Sequence, residues 1–583
     1  MQPAGAEDTA KNSTALKRFG PIIGLVAAVG IGVGVLVLSG GDDKKSTSDS
    51  VPSDASVPVT TPSSGSGATP SSGPAEVTFP LSFSQAKDKG ITVDWGARCD
   101  TTTGRVAVPD FFAGECFAPI SGDNGGATAT GVTADEITIV FYEGVPNDPI
   151  IGYITDAVKV EDTNAQQAET MQNMVNYFES FYETYGRKVK LVPFEGTGIA
   201  TDETAARADA VRIAQDIKPF MVWGGPALTS AFADELAARK VMCLSCTPGQ
   251  SPDFYAQRDP YVWAIAGGAE QAQVHVLEMI KKQLAGKNAT HAGDQFVNTP
   301  RKFGSLFIES SLASKQLNDK FAQGMIDAGA PLAETVSYVL SPATIQEIAS
   351  QAIAKFKAAG VTTIVFDGDP VAPREFTKEA TAQGYFPEWV IGVSALVDLN
   401  AFGRTYDQKQ WVHAFGYTSL AARVTPEISG YYALHKWFTG KEPPAKDTIG
   451  IFAPYPAVFY AALQGVGPNL TEESWKQALF AGNATRSAIT QPSLSWGDKG
   501  IWPQPDYQGI DDATMIWWDP TAVGPDEIRK VNSGMYQFVD GGKRFMPGTW
   551  PTTDKFFDPA GAVSIYATPP SGEEPPTYPS PAG

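Results

Sequence analysis

Histidine and cysteine are scarce, with four of each in 583 residues, and the scarcity narrows the chemistry open to the chain. The histidines, His275, His291, His413 and His435, form no H-x-x-x-H and no C-x-x-H pair, so the spacing that builds zinc sites is missing. No H-E-x-x-H, G-x-S-x-G or P-loop stretch occurs, which removes the common metalloprotease, serine-hydrolase and nucleotide-hydrolase signatures. The chain is expected not to be an enzyme and to need no cofactor and no metal. Positive charge is also short: 44 Lys and Arg stand against 64 Asp and Glu, a net charge of -20. Nucleic-acid binding requires clustered cations that release counterions from phosphates, and no basic stripe follows the first 45 residues.

What is present is a globular composition, 43% hydrophobic and 11% aromatic, over about three to four domain lengths. One long hydrophobic run stands apart. FGPIIGLVAAVGIGVGVLVL, Phe19 to Leu38, is 20 residues without a charge, enough to span a hydrocarbon core of about 30 Å. Lys11, Lys17 and Arg18 precede it, and Asp42, Asp43, Lys44 and Lys45 balance after it. The positive-inside rule therefore puts the N-terminus in the cytoplasm and the bulk of the chain outside. The expectation is a single-pass signal anchor in the cell membrane, weighed against a cleaved signal peptide, whose apolar region is shorter and ends in an A-x-A site. No Cys lies near the end of the run, so an acylated cysteine is excluded. Gly30 and Gly34 match G-x-x-x-G, a weak pattern in so glycine-rich a run.

From Gly41 to Thr78 the chain is a Ser, Thr, Pro, Gly and Ala mixture that cannot bury a core and reads as a disordered tether, with a reach of about 35 Å. SGEEPPTYPSPAG at the end reads as a disordered tail. All four cysteines fall on the outer side. Cys99 and Cys116 bracket RCDTTTGRVAVPDFFAGEC, and Cys243 and Cys246 sit in MCLSC. An oxidising compartment makes two local disulfides the simplest arithmetic, the first stabilising by about 3 kcal/mol in the chain-entropy model. A redox pair at C-x-x-C prefers a helix N-terminus, whereas Cys243 continues the apolar run KVMCL.

The body alternates. Strand-like ITIVFY is followed by a helix from Thr163 to Tyr185, with Met171, Met174, Phe178, Phe181 and Tyr185 at three- and four-residue spacing. Then come KLVPFEG, the helix ETAARADAVRIAQDI, FMVWGG, a helix, VMCLS and YVWAIA. The alternation restarts with a helix over Glu270 to Leu284, then GSLFIES, ASKQLNDKFAQGMIDAG, TVSYVL, TIQEIASQAIAKFKAAG, TTIVFDG and WVIGVS. The fold class is α/β, two doubly wound parallel-sheet lobes with a hinge between them, preceded by one transmembrane helix. The expected organisation is 1–18 cytoplasmic, 19–40 transmembrane, 41–78 tether, 79–130 a disulfide-clipped extension, 131–266 first lobe, 267–412 second lobe, 413–500 return to the first lobe, 501–570 C-terminal strands and wrapping segment, and 571–583 tail.

In open parallel sheets ligands bind outside the carboxyl ends of the strands. Those ends are Tyr142-Glu143-Gly144, Trp223-Gly224-Gly225, Ser245-Cys246-Thr247, Glu309-Ser310 and Asp367-Gly368-Asp369. Glycines admit a ligand to the backbone, and Thr229 and Ser230 before a helix offer amides and hydroxyls to an anion. The competing account of each is plain: G-G-P is a turn and Thr or Ser an N-cap.

The order GVTADEI, GGPALTS, LSCTPGQSPDFYAQRDPYVWAIAG, VTTIVFDGDPVAPREFTKEATAQGYFPEWVIG and YPAVFYAALQGVG resembles the type I periplasmic solute-binding proteins, in particular the Leu/Ile/Val-binding branch that serves ABC importers. The resemblance covers residues 131 to 519. It implies two lobes joined by three crossovers that close like a hinge on a small ligand, and a permease as partner. It places a ligand carboxylate on the loop Ala227 to Ser230, with Thr229, and on Thr247 to Ser251, with Gly249. The family's acidic partner for an ammonium falls at Ser394, a departure, so Asp367, Asp369 or Glu309 would have to replace it. Without one, a carboxylate, amide or neutral solute is implied. A non-transporting sensor, co-receptor or envelope scaffold on the same fold is the other expectation, and a cleft walled off by bulky side chains would favour it.

Overall fold

A computed structural model describes residues 77–583 apart from 147, 227, 310, 311, 429, 486 and 487. The expected stretches 1–18 and 19–40 and nearly all of the tether lie outside the described residues, as does Ala227.

Two sheets organise the chain. The first holds β1 (Glu136–Glu143), β2 (Lys188–Glu195), β3 (Met221–Trp223), β4 (Met242–Leu244) and β5 (Val262–Trp263), all parallel in the order β2-β1-β3-β4-β5. The central strands are apolar on both faces because helices cover both, and β3 and β4 are buried at every residue. The edge strand β2 alternates buried and exposed positions instead. The second sheet holds β6 (Phe303–Ile308), β7 (Leu332–Tyr338), β8 (Thr363–Asp367), β9 (Glu388–Ile391), β10 (Ala414–Thr418), β11 (Thr514–Pro525) and β12 (Val531–Phe538). Its order is β12-β11-β10-β9-β8-β6-β7, parallel through β10, with β11 and β12 added antiparallel at one edge.

Because Ala414–Thr418 pairs with β9 inside the second sheet, the second lobe extends past the expected boundary at 412. The chain then returns to the first lobe through the helices Gly430–Thr439, Pro454–Val466 and Glu472–Ala481. There Tyr460 stacks on Phe178 of the helix Asn164–Phe181 at 5.4 Å, and Phe459 meets Trp223 edge-on at 5.4 Å. Three crossovers thus join the lobes, near Ile265–Gly268, Ser419–Val424 and Gln508–Asp512. Arg544 fastens two of them: both it and Asp512 are 1% exposed, and its guanidinium donates to Asp512 Oδ1 and to the carbonyls of Ser419 and Leu420. A buried pair of this kind rests on the full set of hydrogen bonds, not on the charges alone.

The extension from Phe79 carries the Cys99–Cys116 disulfide and lies on the first lobe. Phe79 packs edge-on against Tyr185 at 6.5 Å, Arg98 pairs with Glu183, and Arg187 donates to the carbonyls of Asn124 and Gly126. The segment 571–583, expected to be disordered, packs on the protein. Glu573 accepts from the amides of Ile489 and Thr490, Trp437 Nε1 donates to the Tyr578 carbonyl, Ser580 Oγ donates to the Trp437 carbonyl, and Tyr578 Oη donates to Asp100 Oδ2. Since Tyr566 still bonds the second crossover through Arg423 and Thr425, the last residues run from there to the first lobe as a strap.

Candidate functional site

Strand order locates the site before any side chain is considered. In each sheet the parallel part reads second-first-third-fourth-fifth, and loops leaving the carboxyl ends diverge between the first and third strands. These switch points fall at the ends of β1 and β3 in the first lobe, and of β6 and β8 in the second.

The first-lobe residues divide sharply. Tyr142 turns into the core, where it stacks on Phe194 at 6.0 Å and contacts Phe232 at 4.9 Å. Trp223 is wholly buried, its Nε1 without a hydrogen-bond partner. Gly225 passes so close to the next strand that a Cβ would stand 2.7 Å from the Cys246 carbonyl oxygen. The Cys243–Cys246 disulfide, both sulfurs buried, holds that neighbour in place. Thr229 Oγ1 accepts from the Ala231 amide, the capping role, while Ser230 begins the helix Ala231–Ala238 without a side-chain cap bond, its Oγ 3.4 Å from Asp234. Thr247 is buried and accepts from Gln250 Nε2 at 3.2 Å, and Gly249 takes the left-handed turn at φ 80. Glu143, 6% exposed at the end of β1, keeps Oε1 without a partner. Burial, with the nearby Glu195 charge adding to it, pushes its carboxyl up to about 8.

The second-lobe carboxylates are spent inside their own lobe. Asp369 Oδ1 accepts from the amides of Val371 and Ala372 at 2.9 Å each, at the start of the helix Ala372–Ala382, and Oδ2 accepts from Tyr338 Oη at 2.6 Å. Asp367 Oδ1 accepts from the Val393 amide at 2.5 Å, and burial pushes it up to about 7. It lines a cavity of about 30 Å³ with Gln273, Asn318 and Val393, room for one water. Glu309, the first residue past β6, lines an outer groove beside Ser337 and Lys355. Ser394 is buried past β9. The expected replacement of the family's acid by Asp367, Asp369 or Glu309 is therefore not what these contacts provide.

Two features escaped the sequence analysis. One is the helix Pro149–Val158, which leaves the end of β1 and stands between the lobes. Asp148 caps it, accepting from Ile150, Ile151 and, through Oδ2, Ala200. Ile151 packs with Ala200 and Leu228 of the first lobe, while Ile154 and Val158 join the second lobe's core. Lys530 of the second lobe donates to the carbonyls of Val158 and Lys159 at 2.9 Å each, a cation on a helix C-terminus. Burial raises the Tyr153 hydroxyl, with Arg374, Asp369 and Glu375 of the second lobe around it. An Asp followed by Pro and apolar residues at 151, 154 and 158 was the available signal.

The other is a buried amide chain. Gln508 Nε2 donates to the Gln250 carbonyl at 3.1 Å, and Asp506 accepts from the Gln508 amide and from Gln271 Nε2. It ties the loop after β4 to the third crossover. Gln250 and Gln508 lie 258 residues apart, and no spacing announces them.

No protein-family model matches the chain, and no curated protein does. Among solved structures it is similar to an ABC-transporter solute-binding protein of Rhodopseudomonas palustris in complex with 4-hydroxybenzoate (13% identity, 69% of this chain and 97% of that one, TM-score 0.48). It is also similar to the branched-chain amino acid transporter substrate-binding protein of Streptococcus pneumoniae in complex with isoleucine (13%, 69% and 100%, TM-score 0.45). A third is the leucine-, isoleucine-, valine-, threonine- and alanine-binding protein of Brucella ovis (12%, 74% and 99%, TM-score 0.48). These neighbours are solute-binding proteins, the group the sequence resembles.

Proposed function

We propose that this chain is a membrane-anchored, extracytoplasmic solute-binding protein that captures a small molecule between its two lobes and delivers it to an ABC permease. The observation that carries the proposal is the pairing of two sheets with the same parallel strand order, joined by three crossovers and bridged at their carboxyl ends by one helix. Only a solute touching both lobes favours their closed arrangement, and the Thr247–Gln250–Gln508 chain gives the first-lobe loop a route to the hinge. The solute class is a small carboxylate or amide-like molecule, amino acids included. Hydroxyls and amides concentrate at Ser230 and Thr247, while Asp367 and Asp369 are already committed to backbone amides and offer an ammonium little. Residues 19–38 would hold the protein near its transporter and raise its effective concentration there.

A second proposal, a sensor or envelope scaffold without transport, is favoured by Ile151, Ile154 and Val158 occupying the space between the lobes. A thermal-shift screen against amino acids, small carboxylates, amides, polyols and sugars separates the two. A solute at a hundred times its Kd stabilises by about 2.7 kcal/mol, so capture gives a selective upward shift. A flat response from folded, solute-free protein would sink the transport proposal. Extraction of membranes with alkaline carbonate tests the anchor, which must stay with the pellet.

A further inference from the structure

A cavity of about 420 Å³ opens between the lobes beside the second crossover, next to the Val158 end of the bridging helix. Its walls come from three places: Tyr431, Ile449 and Ile451 of the returning first-lobe segment, Leu399, Phe402 and Ile528 of the second lobe, and the crossover Leu420 to Val424. None of Glu143, Thr229, Ser230, Thr247, Asp369 or Ser394 lines it. Its volume lies within the range of small-molecule sites, and it has their character, apolar walls with a few convergent polar groups at a junction of lobes.

The polar groups tell which head group fits. Two of the three acids around the cavity are already paired. Glu527 accepts from the amides of Asn400 and Ala401 and from Asn400 Nδ2, and Asp447 is paired with Arg529. The third, Asp398, accepts from Thr418 Oγ1 through Oδ2, and its Oδ1 is buried without a hydrogen-bond partner. Of the three cations, Arg529 is committed to Asp447 and the Lys446 carbonyl, while the other two keep donors free. Lys446 is exposed at the mouth, and its ammonium makes no ion pair among the described residues. Arg423 gives one N–H group to the Pro525 carbonyl and stands 3.5 Å from Glu527, a loose pair. Cations without a close ion-pair partner at the rim of an apolar chamber fit a ligand with an apolar body and an acidic group.

We propose that this cavity is a second binding site, for a small amphipathic anion whose ring or branched chain enters between Phe402, Ile451 and Ile528 and whose acidic group meets Lys446 and Arg423. Since both lobes and a crossover contribute walls, an occupant favours the lobe arrangement that brings them together and so biases capture at the strand ends. The proposal does not depend on the transport function and would stand if the protein were a scaffold.

Two fluorescent probes of nearly the same shape test it on the full chain: 8-anilinonaphthalene-1-sulfonate, which is anionic, and N-phenyl-1-naphthylamine, which is not. The sulfonate is expected to bind one to one and about fivefold more tightly than the neutral probe. Lys446→Glu should erase that advantage and leave the neutral probe unaffected. Gly450→Phe projects a side chain from a wall position where a Cβ meets nothing within 4 Å, and it should weaken both probes at least about tenfold. Undiminished binding of both by folded Gly450→Phe protein, with an unchanged circular dichroism spectrum, overturns the site. Equal affinities for the two probes, insensitive to Lys446→Glu and to Arg423→Gln, overturn the anionic ligand class. If Gly450→Phe fails to fold, Ala421→Phe on the opposite wall takes its place.

Discussion

At the end of β8 Asp369 satisfies two amides and a tyrosine hydroxyl, and Asp367 satisfies a third amide. In the other lobe β3, the counterpart of β8, ends in Gly224 and Gly225, and the acid at the switch point is Glu143 at the end of β1, which keeps a buried oxygen that nothing donates to. The strand orders are the same, so topology alone does not set this difference. The second lobe's carboxylates close its own loops and make that surface rigid. The first lobe leaves hydrogen-bonding capacity uncommitted beside the glycines that end β3, and there recognition has room to work.

The comparison is broken most severely at Asp369. Asp369→Ala leaves the Val371 and Ala372 amides and Tyr338 Oη buried without an acceptor, and each such group costs about 1 to 3 kcal/mol. A loss of about 3 to 5 kcal/mol is expected in denaturant unfolding; a loss under about 1 kcal/mol would mean that water replaces the carboxylate and that this surface is less closed than described. A smaller effect belongs to Thr229→Ala, which removes one cap and should cost about 1 kcal/mol. Calorimetric titration with a solute found in the screen sharpens the contrast, because unchanged affinity assigns Thr229 to the helix and a loss assigns its hydroxyl to the solute.

The gentlest test is one of pH. Folded Glu143 holds its proton up to about 8, whereas the unfolded chain releases it near 4.5. Between those values the folded state carries the extra proton, so its contribution to stability falls as pH rises and is fully lost above about 8. Asp367 and Asp506, both pushed up to about 7 by burial, act in the same direction. The melting temperature should therefore decline from about pH 5 to pH 8, and Glu143→Gln should make the decline shallower. An identical slope in the variant would place Glu143 in water.

The alternation of apolar runs with amphipathic stretches was legible because burial on both faces of a parallel strand leaves a continuous signal, as in ITIVFY and TTIVFDG. AFGYT was not. The strand is five residues long, and Gly416, which breaks the run, is there because a Cβ would strike the backbone of Ile391. The C-terminal segment misled through its prolines: composition reports that a stretch lacks its own core, not that Trp437, 141 residues away, will hold it. At the site, the strand ends were found from local pattern, but the roles of their side chains were not. Whether an aspartate caps a helix or faces a ligand depends on which amides surround it, and Tyr338 and Val393 reach Asp369 and Asp367 only through the fold.

The placement of Phe79 and Pro80 carries a mechanical consequence. The chain enters the folded body against Tyr185 and Gly467, both of the first lobe, and the terminal strap comes back to the same lobe at Trp437 and Asp100. A pull transmitted through whatever precedes residue 77 is thus borne by the first lobe alone. If residues 19–38 anchor the chain as proposed above, the first lobe is the mount, and any hinge motion would carry β6 to β12 while the point of suspension stays still.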